Sequence, residues 1–564
     1  MRNQMRRQTR VKVTTKVVAA VLGATLLAGC GEQPATTSSG ATAAANVTGP
    51  KLGIRPYGDE EVKIDMSQIK SEELKKVFNY IDEHIDEHVV TFQKWIQQPS
   101  VSNTGEGIQE SAEMVKGYFD QLGCQETEIY EPGLTQWGQQ GNPVVYANCD
   151  EGAEKTVVLY WMYDTMPVTQ PDLWKAPPFE AQLVEQAPFK KVLIGRGANN
   201  SKGPQVVQLN ALTSIKAAIG KLPVNVIFVA EGDEERMSMG FRKFMLTHPE
   251  KFAKADAVYR FGRQGGLSGG SEGLFYIELT TSGSKWGQGP NYSDIHGGNK
   301  RTVASPAWRH MKMLSTLIDE DTNKVLIDGF YENVAPISKE LDAKLRQVAS
   351  KLKLEQAAKN LGVEKFITDD PYEYVKRARY GTSMNLDGIW GGNMFAGGSG
   401  SILPNKVVSK HSFRYVPNMT SEEIATKLRK HLDKRGYTDV EISIIGDQPW
   451  AKAATDTEIG RAVVRMFDAF SIEHGELSTI PAIDGDGSMM DDMNSPAWPA
   501  YLFVTKEGIN EKINLPTIGG NAGQGGNSHA ANEYFVIEGA GKVYGLAGAE
   551  KSVATVLYNY AGLN

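Results

Sequence analysis

The most constraining feature of this sequence is a regular alternation between short apolar runs and segments of helix length. The runs span residues 143–147, 156–161, 224–230 and 257–261, and they are rich in β-branched and aromatic residues, which favours strands. A helical stretch, residues 205–219, separates the second run from the third. Strand–helix–strand alternation predicts the α/β class, with a sheet that contains parallel portions and is covered by helices.

A different pattern interrupts this alternation. Between residues 275 and 435 the chain predicts alternating strands with two amphipathic helices, an α+β unit of its own, and after Pro449 the first pattern resumes. The 564 residues are also too many for one ordinary core. We therefore predict an α/β domain in two parts, residues 63–275 and 447–564, that is interrupted by a smaller lid or dimerisation domain, residues 276–446.

The N-terminus predicts export. Residues 1–30 form a signal peptide, because a basic segment precedes an apolar stretch, residues 17–29, that is too short to span a bilayer. Its end, LAGC, resembles a bacterial lipobox, which implies cleavage before Cys30 and attachment of lipid to that residue. A plain signal peptide with a chance cysteine is the alternative. Residues 31–62 are predicted to be a flexible tether, since the segment is small and polar.

These features predict a lipid-anchored protein of a bacterial cell envelope, which meets the membrane only through its lipid. Gly31 after the cysteine favours the outer membrane, facing the periplasm or the cell surface. The net charge is −7 and the pI is near 5.9, whereas a domain that binds nucleic acid is typically basic. No nucleic-acid partner is therefore expected. An exported protein could pair Cys124 with Cys149, and the sequence leaves that question open.

Polar clusters follow the predicted strands, where α/β sheets bind their ligands. Asp164 follows one strand, and four carboxylates lie within five residues after another: Glu231, Asp233, Glu234 and Glu235. Like charges this close need a cation, a proton or a basic partner, so the cluster is a candidate metal or acid–base site. A solvated acidic loop is the plain alternative. A glycine-dense loop, residues 519–529, ends in His529 and suits close approach to a ligand, or is a mobile surface loop.

Eight collinear segments together resemble one known family: VVLYWMYDTMPV, DLWKAPPF, IGRGANNSKG, VNVIFVAEGDEE, SDIHGG, NLDGIWGG, FRYVP and HAANEY. They resemble the signature stretches of the carnosinase, aminoacylase and succinyl-diaminopimelate desuccinylase family of dinuclear zinc exopeptidases, over nearly all of residues 65–564. The resemblance implies a phosphorylase/hydrolase-like mixed sheet sandwiched by helices, and a ferredoxin-like lid. It also implies a hydrolase of peptide or amide bonds.

The resemblance carries over some catalytic residues. Asp164 matches the aspartate of a His-x-Asp motif, Glu234 matches the general base, and Glu235 and His529 match metal ligands. The position of the aspartate that bridges both metals is Asn200 here.

Two other ligand positions are also altered, because the His of His-x-Asp is Met162 and a further acidic ligand aligns with Gly262. One metal site is therefore predicted to be absent. The other keeps Glu235, His529 and the neutral amide of Asn200, which predicts at most one weakly bound zinc. Carboxylates that could rescue the site are Asp233, Asp484 and Asp486.

The substrate side is more complete. His296 resembles a lid histidine that reaches the active site of a partner subunit and polarises the scissile carbonyl, which implies a homodimer. Asn385 and Arg414 match positions that hold the carboxylate end of the substrate, and a guanidinium suits a carboxylate because it donates two parallel hydrogen bonds. The sequence thus predicts a hydrolase of dipeptides or N-acyl amino acids with altered metal dependence. The alternative is a non-catalytic lipoprotein that binds a peptide or an amino-acid derivative.

Overall fold

A mixed six-stranded sheet forms the centre of the larger part of the protein in the computed structural model, which describes residues 51–478 and 497–564. In spatial order its strands are Thr517–Asn521, Ala257–Gln264, Thr156–Met162, Asn225–Glu231, Val144–Cys149 and Glu126–Tyr130. The first four strands are parallel, and each of the last two is antiparallel to the strand before it. The parallel strands end at one edge of the sheet, so residues that follow them come together there.

Helices cover both faces of this sheet, as the alternating pattern predicted. They are Glu72–Glu83, Ile85–Gln97, Ile108–Gln121, Lys202–Ile219, Met239–Thr247, Glu458–Ala469 and Leu546–Tyr560. The first helix begins after Ser71, whose hydroxyl accepts the Leu74 N–H, and it buries one face, with Leu74, Val77 and Ile81 fully covered. The last helix is buried on all sides. A second, antiparallel sheet lies beside them, built from Gly525–Gly526, Tyr534–Glu538, Phe189–Ile194 and Gln182–Gln186.

The interrupting segment folds into the predicted α+β unit. Its antiparallel sheet has the spatial order Ser383–Trp390, Lys406–Tyr415, Gly273–Ser282 and Glu441–Gln448. Its helices are Gly283–Trp286, Pro306–Leu314, Lys339–Lys351, Leu354–Leu361, Pro371–Tyr380 and Ser421–Lys434. A separate apolar core, with Phe275, Phe413 and Leu428 at its centre, holds this unit together. Along the chain, the first strand of this sheet begins at Gly273 and its last strand ends at Gln448.

Residues 51–62 differ from the flexible tether expected of them. The carboxylate of Asp86 accepts the N–H groups of Leu52, Gly53 and Ile54, and Asp59–Glu60 pairs in parallel with Ala540–Gly541. Backbone pairing therefore orders a segment whose composition alone would leave it unfolded. Residues 1–50, which include the predicted lipidation site Cys30, lie outside the described residues.

Cys124 and Cys149 form a disulfide, which answers the question that the sequence left open. Cys124 follows the helix Ile108–Gln121, and Cys149 ends a strand of the large sheet. The disulfide therefore ties that helix to the sheet. Over the described part of the chain, no helix combines the length and the apolar character that a membrane span needs.

Candidate active site

Asp164 organises the carboxylate cluster at the edge of the large sheet. It follows the strand Thr156–Met162 and is fully buried. Its two carboxylate oxygens accept the backbone N–H groups of Glu234 (3.2 Å) and Glu235 (3.0 Å). Burial, followed by the charge of Glu235, raises the pKa of Asp164 to about 7. Asp164 therefore fixes the turn of 3₁₀ helix, Glu234–Arg236, that presents the two glutamates.

Glu234 lies among charges of both signs. Burial raises the pKa of its carboxyl well above the usual value, and the charges of Glu235 and Asp164 raise it further. The positive charges of two guanidinium groups lower the pKa of Glu234; they belong to Arg414 in the lid and Arg260 in the large sheet. A raised carboxyl pKa is a shift in the direction that general acid–base catalysis needs. This environment fits the general base that the sequence predicted at Glu234.

Asn200, Glu235 and His529 meet at one point, as predicted. The amide nitrogen of Asn200 lies 2.7 Å from Oε1 of Glu235 and 2.9 Å from Nε2 of His529, and these last two atoms are 3.0 Å apart. The Glu235 side chain is almost fully buried, whereas that of His529 is half exposed. The hydrogen bond to Glu235 raises the pKa of His529.

The loop that carries Asn200 is held by a buried ion pair. Glu533 accepts the N–H groups of Gly197, Asn199 and Asn200, and it pairs with Arg196 at 2.7 Å. Both side chains of the pair are almost completely buried. This loop therefore has a fixed position beside Glu235.

The residues present do not fit two zinc ions. The amide of Asn200 donates hydrogen bonds to Glu235 and His529, where a bridging carboxylate would supply lone pairs to metals. The two distances from Asn200 end at its amide nitrogen, which donates hydrogen bonds and has no lone pair for a metal. The three groups are thus spaced for hydrogen bonding among themselves.

The other two altered positions offer no ligand. Met162 is buried in the sheet and has a thioether, which is a poor ligand for zinc. A side chain at Gly262 would collide with backbone, because its Cβ would lie 2.6 Å from the nitrogen of Gly520. The N–H of Gly262 donates to Oδ1 of Asn521 instead.

Within residues 51–478 and 497–564, no group of three or more His, Cys, Asp or Glu side chains could hold a metal ion. Asp233 does not supply the missing carboxylate, because its Oδ2 accepts the N–H groups of Asn142 and Gly240. The other two carboxylates considered, Asp484 and Asp486, lie outside the described residues.

The predicted substrate residues lie on the lid. Arg414 pairs with Glu272 at 2.7 Å and influences Glu234 through its charge. The amide of Asn385 donates to Asp387 on the same exposed strand. His296 is exposed, and its Nδ1 accepts the N–H of Gly298. Among the described residues, no hydrogen bond joins His296 to Glu234 or Glu235.

Glu231, one of the four clustered carboxylates, contacts residues that the sequence patterns did not single out. Glu231 is fully buried, and its Oε1 accepts from the hydroxyls of Tyr160 (2.6 Å) and Ser238 (3.0 Å). Arg260 extends over the ring of Trp498, 4.8 Å from its centroid. The alternation of side chains along strands could have placed Tyr160 and Arg260 on one face of the sheet, but Trp498 comes from a distant loop.

Comparisons with known proteins identify the family. The model of the peptidase family M20/M25/M40 matches residues 159–544. The chain is 27% identical over 436 residues to the Beta-Ala-His dipeptidase of Rattus norvegicus. The matched region covers 72% of this chain and 85% of the relative. It is 30% identical over 379 residues to the Cys-Gly metallodipeptidase dug1 of Schizosaccharomyces pombe, over 64% of this chain and 76% of the relative.

A solved structure supports the fold over most of the chain. The M20 family metallo-carboxypeptidase Sso-CP2 from Sulfolobus solfataricus superposes with a TM-score of 0.67 at 27% identity, and the match covers 85% of this chain and all of that one. The predicted α/β fold with its smaller lid and the predicted class, a hydrolase of peptide bonds, are confirmed at this level. The chain belongs to the peptidase family M20/M25/M40.

Proposed function

We propose that this protein is an exopeptidase that cleaves a peptide or amide bond beside a free carboxylate, with a dipeptide or an N-acyl amino acid as substrate. The observation that carries this proposal is the partly buried Glu234, whose backbone is held by Asp164 and whose carboxyl is under the influence of the charge of the lid residue Arg414. The relatives named above are dipeptidases, which supports a small peptide as the substrate.

Glu234 acts as the general base in this proposal. It takes a proton from the attacking water and returns it to the leaving amine, which needs a group whose pKa lies nearer to neutral than that of a free glutamate. The burial of Glu234 and the charges of Glu235 and Asp164 provide this shift. Asp164 keeps the carboxylate in place through the backbone of the turn.

Arg414 binds the carboxylate end of the substrate, and Asn385 on the neighbouring lid strand supports it. Strand pairing makes the two diagonal neighbours on one face of the lid sheet, since Ser383 lies opposite Arg414 and Asn385 lies opposite Ser412. Arg414 already pairs with Glu272, so a substrate carboxylate must displace or share that partner. The guanidinium has five N–H donors, which allows it to hold both carboxylates.

We also propose that the metal centre is reduced to one weak zinc site or none. We expect the purified protein to retain well under one zinc per chain after dialysis, because Asn200, Met162 and Gly262 offer no anionic or imidazole ligand. Added zinc should bring the content to one per chain at most, as measured by elemental mass spectrometry.

Two variants serve as controls for this measurement. Any zinc that binds should be lost in Glu235→Ala and in His529→Ala, because these residues are the strongest ligands that remain. In the same preparations we would measure the release of amino acids from a panel of dipeptides and N-acyl amino acids. Two zinc ions per chain, retained through dialysis, would contradict the proposal of a reduced centre.

A second candidate function is non-catalytic capture of a peptide or amino-acid derivative. The hydrogen bonds of Asn200 favour this candidate. Its amide donates to Glu235 and His529 at a position where a metal ligand is expected. A protein that binds dipeptides with and without zinc, and hydrolyses none of them, would support this candidate over the first.

We further propose that the protein is an exported lipoprotein, anchored through Cys30 to a bacterial envelope. The Cys124–Cys149 disulfide supports export, because such bonds persist mainly in oxidising compartments. We expect Cys30→Ser to abolish incorporation of labelled palmitate and to release the protein from the membrane fraction. Unchanged labelling would rule out this anchor.

The last proposal concerns a homodimer in which His296 acts in the partner's active site. The exposure of His296 and the absence of a hydrogen bond from it to Glu234 in the described chain support an action across two subunits. We expect His296→Ala to lower kcat by about 100-fold and to leave the melting temperature unchanged. Mixing this variant with an inactive Glu234→Gln protein should restore part of the activity, whereas no recovery would argue against a shared site.

A further inference from the structure

One face of the large sheet carries Arg260 and the altered metal-ligand position Met162. Val158 lies beside Val258 in the pairing of their parallel strands, and side chains alternate along each strand. Arg260 therefore shares a face with Tyr160 and Met162, and it stands two residues before Gly262. Gly519 pairs with Arg260 on the neighbouring strand, so the Arg260 side chain packs beside a residue that has no side chain.

Arg260 is an unusual cation in this position. Its guanidinium stacks over the ring of Trp498, and its Nε is buried without a hydrogen-bond partner in residues 51–478 and 497–564. Burial lowers the pKa of Arg260, and the charges of Tyr160 and Glu234 act in the opposite direction. A guanidinium stays charged at any physiological pH, and an enclosed charge without a hydrogen-bonded anion is costly. Arg260 is therefore available to a ligand that brings negative charge next to Glu234.

We propose that Arg260 is a catalytic residue that binds the carbonyl oxygen of the scissile bond and stabilises the negative charge that forms on it. This inference rests on the proposed peptidase function and deepens it. A guanidinium aimed at the place where charge develops does the electrostatic work of an oxyanion hole. Arg260 thereby compensates for the ligands lost at Met162, Asn200 and Gly262.

The reaction balances with the groups present. The oxygen of a water molecule attacks the carbonyl carbon, and one proton of that water passes to Glu234. The electron pair of the carbonyl π bond moves to the oxygen, which becomes an anion beside Arg260. When the carbon–nitrogen bond breaks, the carbonyl re-forms, and the proton on Glu234 passes to the leaving amine.

The first experiment measures dipeptide hydrolysis by the full protein in the presence of a chelator. We expect Arg260→Gln to lower kcat by about 100-fold to 1,000-fold with little change in KM, which is the effect of losing one oxyanion donor. Arg260→Lys should retain more activity, and added guanidinium ion should partly rescue Arg260→Ala. The matched control is Arg242→Gln, because Arg242 also stacks on aromatic rings with a buried, unpartnered Nε in the described chain. An Arg260→Gln protein that folds and keeps its kcat would overturn the proposal.

The second experiment separates this proposal from the proposed function. Calorimetry with a phosphinic dipeptide analogue, whose tetrahedral anion replaces the scissile carbonyl, needs no turnover. We expect wild type and Arg242→Gln to bind the analogue in the presence of chelator, and Arg260→Gln to bind it at least about 100-fold more weakly. If wild type hydrolyses nothing but still shows this difference, the proposed function fails and the oxyanion site at Arg260 stands. Two results would contradict the proposed role of Arg260. One is equal affinity of wild type and Arg260→Gln for the analogue, and the other is binding by wild type only after zinc is added.

Discussion

Replacing Glu234 with Gln should lower kcat for dipeptide hydrolysis by about 100-fold to 10,000-fold, because glutamine cannot take a proton from water. The change removes the charge and keeps the shape of a side chain that Asp164 holds through the backbone. KM should therefore change only a few-fold, since the carboxylate end of the substrate meets Arg414. Removing one partly buried acid from a crowded cluster should also leave the melting temperature equal or higher.

The matched control is Glu110→Gln, an exposed glutamate in the first turn of the helix Ile108–Gln121, which should keep wild-type kinetics. Initial rates across a dipeptide panel and calorimetric binding to the Glu234→Gln protein give the two readouts. A Glu234→Gln protein that is as active as wild type would exclude Glu234 as the base. Equal binding by the two proteins, with no turnover by either, would favour the non-catalytic binding function.

The sequence predicted the α/β fold, and it predicted that the motif residues follow strands, because both features depend on local patterns. Strand-length apolar runs gave the large sheet, and the motifs around Glu234, Asn200 and His529 fall where strands and loops end. Asn200, Glu235 and His529 lie within hydrogen-bond distance of one another. Their affinity for zinc stays a prediction.

Contacts between distant segments could not be predicted in the same way. No sequence pattern predicts that the carboxylate of Asp164 accepts the N–H groups of Glu234 and Glu235. None predicts that the guanidinium of Arg260 stacks over the ring of Trp498. The backbone of Leu52, Gly53 and Ile54 is held by Asp86, which lies 32 to 34 residues further along the chain. Each of these features depends on which surfaces tertiary packing brings together, and propensity does not encode that.

The largest effect on stability is expected at Glu533. We expect Glu533→Ala to lower the free energy of unfolding by about 3–5 kcal/mol, because it leaves the charge of Arg196 buried without a partner. The same change removes the acceptor for the N–H groups of Gly197, Asn199 and Asn200. Urea denaturation followed by circular dichroism measures the effect. The matched control is Glu185→Ala, which removes an exposed ion pair with Lys190 and should cost about 0–1 kcal/mol.

A double variant separates the two causes of this loss. Adding Arg196→Met to Glu533→Ala removes the unpaired guanidinium, so part of the lost stability should return. The double variant should still unfold more easily than wild type, because each buried N–H without an acceptor costs about 1–3 kcal/mol. If its stability equals that of wild type, the three backbone hydrogen bonds contribute nothing measurable. If Arg196→Met restores nothing, the buried charge is not the cause. Because the same N–H groups fix Asn200 beside Glu235, activity in the double variant should stay low even where stability recovers.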